Sequence, residues 1–345
     1  MLIFDGHNDA LSRLWCGSDD PVRDFAQPLG QVNMPHAAAG GMGGGFFAIY
    51  SPGARQTFDF ATLEPGKFEL PLMPLMEETK AAVPAFAEAG IAHRLQAAGY
   101  IDICTDAQTL ARSFVSDRMA CVLHLEGADC IGADLLALDT FYALGLRSLG
   151  PVWSRKTIFG DGVPIQQGTD GDTGGGLTAD GKRLVRRCKE LGVMIDTSHL
   201  TMKGFWDVGE EGLPLVATHS NAWELSHNAR NLTDDQLRAI GQTGGMAGLN
   251  FATVFLSDQG YETGKAGLED CLRQLDHMIE VAGEDHVGLG SDFDGAPMPD
   301  RIAHAGELPN LVQAMRDHGY GEALIAKLCH ENWLSFLSTQ LGEGA

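Results

Sequence analysis

Basic residues are scarce in this chain: 24 Lys and Arg stand against 46 Asp and Glu, giving a net charge of −22 over 345 residues. A chain so short of positive charge offers no footprint for the phosphates of a nucleic acid and none for an anionic membrane surface. Long apolar runs are also missing, since none reaches the ~18 residues that a membrane helix requires. The opening residues MLIFDGHND carry neither the positive leader nor the apolar core of a secretory signal, and neither end carries a lipidation pattern. Cysteine is sparse and unpatterned: Cys16, Cys104, Cys121, Cys130, Cys188, Cys271 and Cys329 include no CxxC pair, and their number is odd. That excludes a disulfide framework in a chain of this length. These absences lead to the expectation of a soluble cytoplasmic protein that engages neither nucleic acid nor membrane.

What is present is an ordinary globular composition, with 44% hydrophobic and 20% charged residues. Short apolar runs that end in polar residues recur at 2–4, 46–50, 120–125, 146–152, 193–196, 215–218, 246–250 and 287–290. Each is nearly continuous, as parallel strands covered on both faces are. Helix-like stretches lie between them at 74–98, 180–191, 233–243, 268–282 and 321–341, the third opening on the N-cap sequence Thr233-Asp234-Asp235. Such alternation means a parallel sheet, and eight runs favour closure into an α/β fold of the (β/α)8 TIM-barrel type, as one domain over residues 1–345. Residues 17–45 and 159–176, rich in Gly and polar residues, are expected to be flexible βα loops, because neither matches GxxxxGK[ST].

Metal-capable side chains gather at the ends of these runs. The first ends in Asp5-Gly6-His7-Asn8-Asp9, the third in His124-Leu125-Glu126, the fifth in Asp196-Thr197-Ser198-His199, the sixth in Thr218-His219-Ser220 and the eighth in Ser291-Asp292-Phe293-Asp294. Any one alone is weak evidence, because lone histidines at strand ends are common. In a barrel, all C-terminal strand ends meet at one mouth, which would bring His7, Asp9, Glu126, His199, His219 and Asp292 together. Carboxylates crowded there repel one another unless cations relieve them, and mixed N/O ligands suit Zn²⁺ or a similar divalent ion. The ligand count points to two ions: His7 and Asp9 hold one, His199 and His219 the other, and Glu126 bridges. Asp292 is left to move a proton, which describes metal-assisted hydrolysis of an amide.

Taken together with Asn228-Ala229-Arg230-Asn231 and Gly290-Ser291-Asp292-Phe293-Asp294-Gly295, these motifs resemble the amidohydrolase superfamily and, within it, the membrane (renal-type) dipeptidases of peptidase family M19. The resemblance runs from residue 3 to about 335. It implies a binuclear zinc dipeptidase in which a metal-bridging hydroxide attacks the peptide carbonyl of L-Xaa-L-Xaa and L-Xaa-D-Xaa substrates. It makes His7, Asp9, Glu126, His199 and His219 the ligands of two Zn²⁺, with Mn²⁺ or Co²⁺ as alternatives, Asp292 the proton-handling residue, and Arg230 the clamp for the substrate carboxylate. A homodimer is also implied. The chain departs from the pattern at one position of interest: the family's mammalian members carry a histidine after strand 4, whereas no histidine occurs here between His124 and His199. Trp153 falls near that position, with Arg155 and Lys156 as nearby cations, and Asp129 and Asp161 are candidates to meet a substrate amine. The alternative on the same site is an N-acyl-amino-acid or cyclic amide or lactone hydrolase. A barrel that only binds is disfavoured by the full ligand set.

Overall fold

The structure, a computed structural model, describes residues 1–52, 69–70, 72–260 and 266–342. Eight parallel strands build the barrel: β1 (Ile3–Asn8), β2 (Met42–Tyr50), β3 (Met119–Glu126), β4 (Leu146–Gly150), β5 (Met194–Ile195), β6 (Val216–Ala217), β7 (Met246–Leu249) and β8 (Val287–Leu289). They pair in the order β5-β4-β3-β2-β1-β8-β7-β6, and a parallel bridge between Asp196 and Val216 brings the two ends together. The (β/α)8 architecture expected from the alternation of runs and helices is therefore the one observed. A short accessory strand, Ile101–Ile103, pairs with the first half of β3, while β4 pairs with the second half. Among the described residues, no helix is long and apolar enough to cross a membrane.

Strand alternation sorts the side chains into two cores. Ile49, Cys121, Leu123, Leu125, Leu149, Ala247 and Leu249 face the surrounding helices. Phe4, Phe46, Ala120, Val122, Met194, Val216 and Met246 fill the interior. Farther along the same strands the interior turns polar, through His124, Ser148, Asp196 and Thr218, all buried. The barrel is thus a packed plug of hydrocarbon at its N-terminal end and a polar chamber toward its C-terminal end. Trp333 seals the apolar end, donating its indole N–H to Leu289 O at 2.9 Å.

Three elements differ from the sequence expectation. Residues 17–45 are not simply loop: they hold two short helices, Pro21–Phe25 and Met34–Gly40, and the start of β2. The glycine run 43–45 is strand because its neighbours come too close for side chains: a Cβ on Gly45 would lie 2.6 Å from Asp5 O, and one on Gly43 would lie 2.8 Å from the Phe114 ring. Within 159–176, Ile165–Gln166 forms an antiparallel pair with Glu69–Leu70 beside the mouth. The C-terminal segment 321–341 is not one helix. It is interrupted by a π-turn at Lys327–Glu331, after which Asn332 Nδ2 reaches Glu284 O and Val287 O, each at 2.7 Å.

Candidate metal centre

The C-terminal ends of the strands bring the six expected residues to one place. Glu126, the last residue of β3, sits between three imidazoles: its Oε1 lies 3.0 Å from His199 Nε2, 3.5 Å from His219 Nε2 and 3.6 Å from His7 Nε2. Asp9 Oδ2 lies 3.5 Å from His7 Nε2. Two sets of donor atoms converge within 4.8 Å of one another, His7 with Glu126 and His219, and His7 with Asp9 and Asp292. The rings of His7 and His219 stack at 3.8 Å.

The hydrogen bonds behind these residues decide which nitrogen of each histidine is free. Asp196 accepts from Ser198 N at 3.0 Å, Ser198 Oγ at 2.7 Å, Thr218 N at 3.0 Å and Thr218 Oγ1 at 2.6 Å. A hydroxyl has one proton, and Thr218 gives it to Asp196. Thr218 Oγ1, 2.8 Å from His219 Nδ1, must therefore accept from that nitrogen. This places the proton of His219 on Nδ1 and leaves the Nε2 lone pair facing Glu126. Ser154 Oγ stands 3.0 Å from His199 Nδ1. Burial first, then the charges of Arg230 and His7, hold both rings well below the usual histidine range, so both are neutral. The Nε2 atoms of His199 and His219 face each other at 3.1 Å. With the His219 nitrogen bearing no proton, a cation is the natural occupant between them and the Glu126 oxygen.

The remaining electrostatics agree. His7 has no hydrogen-bond partner at Nδ1 or Nε2 although it is fully buried. Burial opposes a charge on this ring, yet Glu126, Asp9 and Asp292 outweigh it and raise its pKa to about 10. Burial raises Glu126 to about 8, with Asp9 and Asp292 adding to the effect and His7 and Arg230 opposing it. Asp292 is raised as well, by burial and then by Asp9, against the pull of His7 and of a 3.0 Å hydrogen bond from Asn250 Nδ2. Buried donors that retain protons at neutral pH only because nothing else neutralises them are what a divalent cation would replace. The donor set of three imidazoles and three carboxylates therefore fits a divalent metal.

A cavity of about 720 Å³ opens over this cluster, lined by Asp9, Glu126, His199 and Asp292 together with the apolar and aromatic side chains of Tyr50, Trp153, Ile165 and Phe255. Trp153 is in the lining. Arg230 is not in the lining but packs behind two residues that are: the guanidinium is buried, 5.4 Å from the ring of Phe255, and Nη2 faces His199 Nε2 at 3.4 Å. It is held by Ser198 O, by Ser220 Oγ at 2.9 Å and by His219 O at 3.1 Å, while Nε has no acceptor. The other charged candidates lie elsewhere. Lys156 is exposed and pairs with Asp161 at 3.0 Å, and Asp129 is buried 3.8 Å from Arg155 Nη1. None of the three lines the cavity. Ser154, Asn250, Tyr50 and Thr218 carry no metal-ligand signature in sequence, although Tyr50, Asn250 and Thr218 all end apolar runs, as does Asp196, whose carboxylate turns out to support Thr218 rather than face the cluster.

The chain matches the model of the membrane dipeptidase family, peptidase family M19, over residues 1–341. It is 42% identical to an uncharacterised protein in the pqqA 5′ region of Klebsiella pneumoniae over 248 residues, 72% of this chain and 90% of that protein. Among solved structures it is similar to a dipeptidase AC described as a metallopeptidase of family M19, at 46% identity and a TM-score of 0.93 with 99% of each chain covered. It is equally similar to a metallopeptidase of Rhodobacter sphaeroides liganded with a phosphinate mimic of the dipeptide L-Ala-D-Ala, at 46% identity and a TM-score of 0.92 with 98% of each chain covered.

Proposed function

The chain belongs to peptidase family M19 as a metallopeptidase, and from that premise we propose that it hydrolyses free dipeptides, L-Xaa-L-Xaa and L-Xaa-D-Xaa, at a centre of two zinc ions. The observation that carries this is the convergence of three imidazole Nε2 atoms on one oxygen of Glu126 within 3.6 Å, with Asp9 and Asp292 alongside. His7 and Asp9 would hold one ion, His199 and His219 the other, and Glu126 both. Bound there, the ions would polarise the peptide carbonyl and acidify a water molecule.

The protein's own groups do the rest. Asp292, whose carboxylate is raised and tied to Asn250, takes the proton of the attacking water and returns it to the departing amine. Arg230 meets the substrate's C-terminal carboxylate through its charge and through Nε, the guanidinium donor that lacks a protein acceptor. The apolar and aromatic lining of the cavity covers the substrate side chains. The occupant of the Rhodobacter sphaeroides enzyme supports a D-residue at the C-terminal position.

The test is amino-acid release by the zinc-loaded protein from matched L-Xaa-L-Xaa and L-Xaa-D-Xaa dipeptides and their N-acetylated forms. Release from the free dipeptides alone is expected. Release from the acetylated forms, or from none, would sink this reading.

A further inference from the structure

Tyr50 is the last residue of β2 and stands in register with Glu126 on the adjacent parallel strand β3. In-register neighbours on parallel strands point the same way, so the phenol rises beside the carboxylate on which the three imidazoles converge, and it lines the same cavity. Both of its ends are fixed. The backbone N–H donates to the buried carboxylate of Glu88 at 2.7 Å. Oη accepts from Arg155 Nη2 at 2.9 Å, and that nitrogen also donates to Ser51 O at 3.0 Å. The ring packs 5.2 Å from Trp153, which in turn lies 5.7 Å from His199.

The chemistry of this arrangement is one-sided. Arg155 is buried; Asp129 pairs with its Nη1 at 3.8 Å, while Nη2 is the nitrogen turned to the phenol, so a positively charged donor stands directly behind Tyr50 Oη. A guanidinium accepts no hydrogen bond. The Tyr50 proton must therefore be offered elsewhere, and among the described residues no hydrogen bond takes it. A phenol, with an ordinary pKa of about 10, keeps that proton at neutral pH. A cation behind the oxygen strengthens the O–H as a donor and repels an ammonium group. The partner in the cavity is then an electron-rich oxygen, and beside Glu126 that is the oxygen of the peptide bond being cleaved.

We propose that Tyr50 is a catalytic residue of this chain, donating its Oη–H to the peptide carbonyl oxygen and holding that oxygen more tightly as it gains negative charge. The proton stays on tyrosine throughout, so no bond to it is made or broken. Tyr50 thereby supplies the donor that no histidine between His124 and His199 can supply. This rests on the dipeptidase reading above.

The experiment is Tyr50→Phe, which keeps the ring and removes only the hydroxyl, assayed on the zinc-loaded protein with the dipeptide that the wild type cleaves best. Loss of one preorganised oxyanion donor predicts a fall in kcat of about 10²-fold, with KM, zinc content and the thermal transition close to wild type. Inhibition by a phosphinate dipeptide mimic, which carries the tetrahedral anionic geometry, is expected to weaken by the same factor as kcat/KM. Unchanged kcat and unchanged phosphinate inhibition overturn the role of Tyr50. So does a rise confined to KM. Wild-type protein that releases no amino acid from any free dipeptide overturns the dipeptidase reading, and this proposal falls with it.

Discussion

Asp292 presents its carboxylate to the mouth from a left-handed backbone, φ 62°, a conformation that Asp tolerates better than most residues. The turn that enforces it is tied from both sides: Asp292 N donates to His7 O at 3.0 Å, Asp9 N donates to Phe293 O at 2.8 Å, and Phe293 is fully buried between them. A second acid in the same turn, Asp294, receives Gln31 N at 2.7 Å and Val32 N at 3.1 Å, so it is structural rather than reactive. Asp292→Asn keeps the shape and removes the base. It is expected to lower kcat by about 10²- to 10⁴-fold while zinc content by elemental analysis stays at the wild-type level; full activity would remove Asp292 from the chemistry. Arg230→Lys keeps the charge but loses the planar fork, and KM for a free dipeptide is expected to rise by about 10- to 10²-fold with a smaller change in kcat, measured by steady-state kinetics. At this scale the cluster at the mouth was legible because each of its members follows an apolar run with a metal-capable side chain. Tyr50 and Ser154 were not: a tyrosine or serine at a strand end has many uses, and only its partners, here Arg155 and His199, single it out.

The elements around the site show where pattern reading succeeds and where it fails. A segment read by its hydrophobic content is placed well: Leu268–Ala282 forms the helix expected for 268–282, and Thr233 caps Asp234–Gln242 through a capping box with Gln236. A segment read by glycine content is misplaced, because glycine signals both freedom and crowding. Residues 43–45 look like loop, yet they are strand, wedged so closely between β1 and β3 that side chains do not fit. Short helices such as Ala107–Phe114 and Met202–Glu210 escaped notice for a different reason: they are amphipathic, but at eight and nine residues they fall short of the ~11 over which a helical period is read. The crowding makes a prediction. A Cβ on Gly44 would press into Ala120 O and lie 2.7 Å from Ala120 Cβ, so Gly44→Ala must part β2 from β3. A destabilisation of about 1–3 kcal/mol is expected, read from the midpoint shift in urea unfolding. Because Tyr50 and Glu126 end these same two strands, activity should fall along with stability. A variant as stable as wild type would show that the close approach of β2 and β3 can relax without cost.

For the molecule as a whole, the two halves of the barrel interior have opposite relations to water. The apolar half, closed by Trp333, stabilises the fold at any pH. The polar half gathers charge that only a cation neutralises, so its contribution depends on pH; above the ordinary histidine range, where the lowered His199 and His219 are neutral in both folded and unfolded states, Glu126 and His7 set the sign in the stripped protein. Glu126 moves from 4.5 to about 8, so between those values the folded state holds a proton that the unfolded state has lost, and stability falls as pH rises. His7 moves from 6.5 to about 10, so the stabilisation it provides is complete below its unfolded value and is lost as pH climbs through that window, which is the same direction. Divalent ions displace these protons, so their binding strengthens as pH rises over the same range. Ion at a hundredfold excess over its Kd adds about 2.7 kcal/mol to stability, and that increment grows as Kd falls. The melting-temperature gap between zinc-loaded and chelator-stripped protein is therefore expected to widen from about pH 6 to about pH 9, with proton release on zinc addition detected by calorimetry in buffers of different ionisation enthalpy. A gap that stays constant, or zinc binding without proton release, would mean that the six mouth residues do not titrate as a metal-binding unit. A stripped protein that still melts cooperatively would show that the hydrocarbon half of the barrel carries the fold alone.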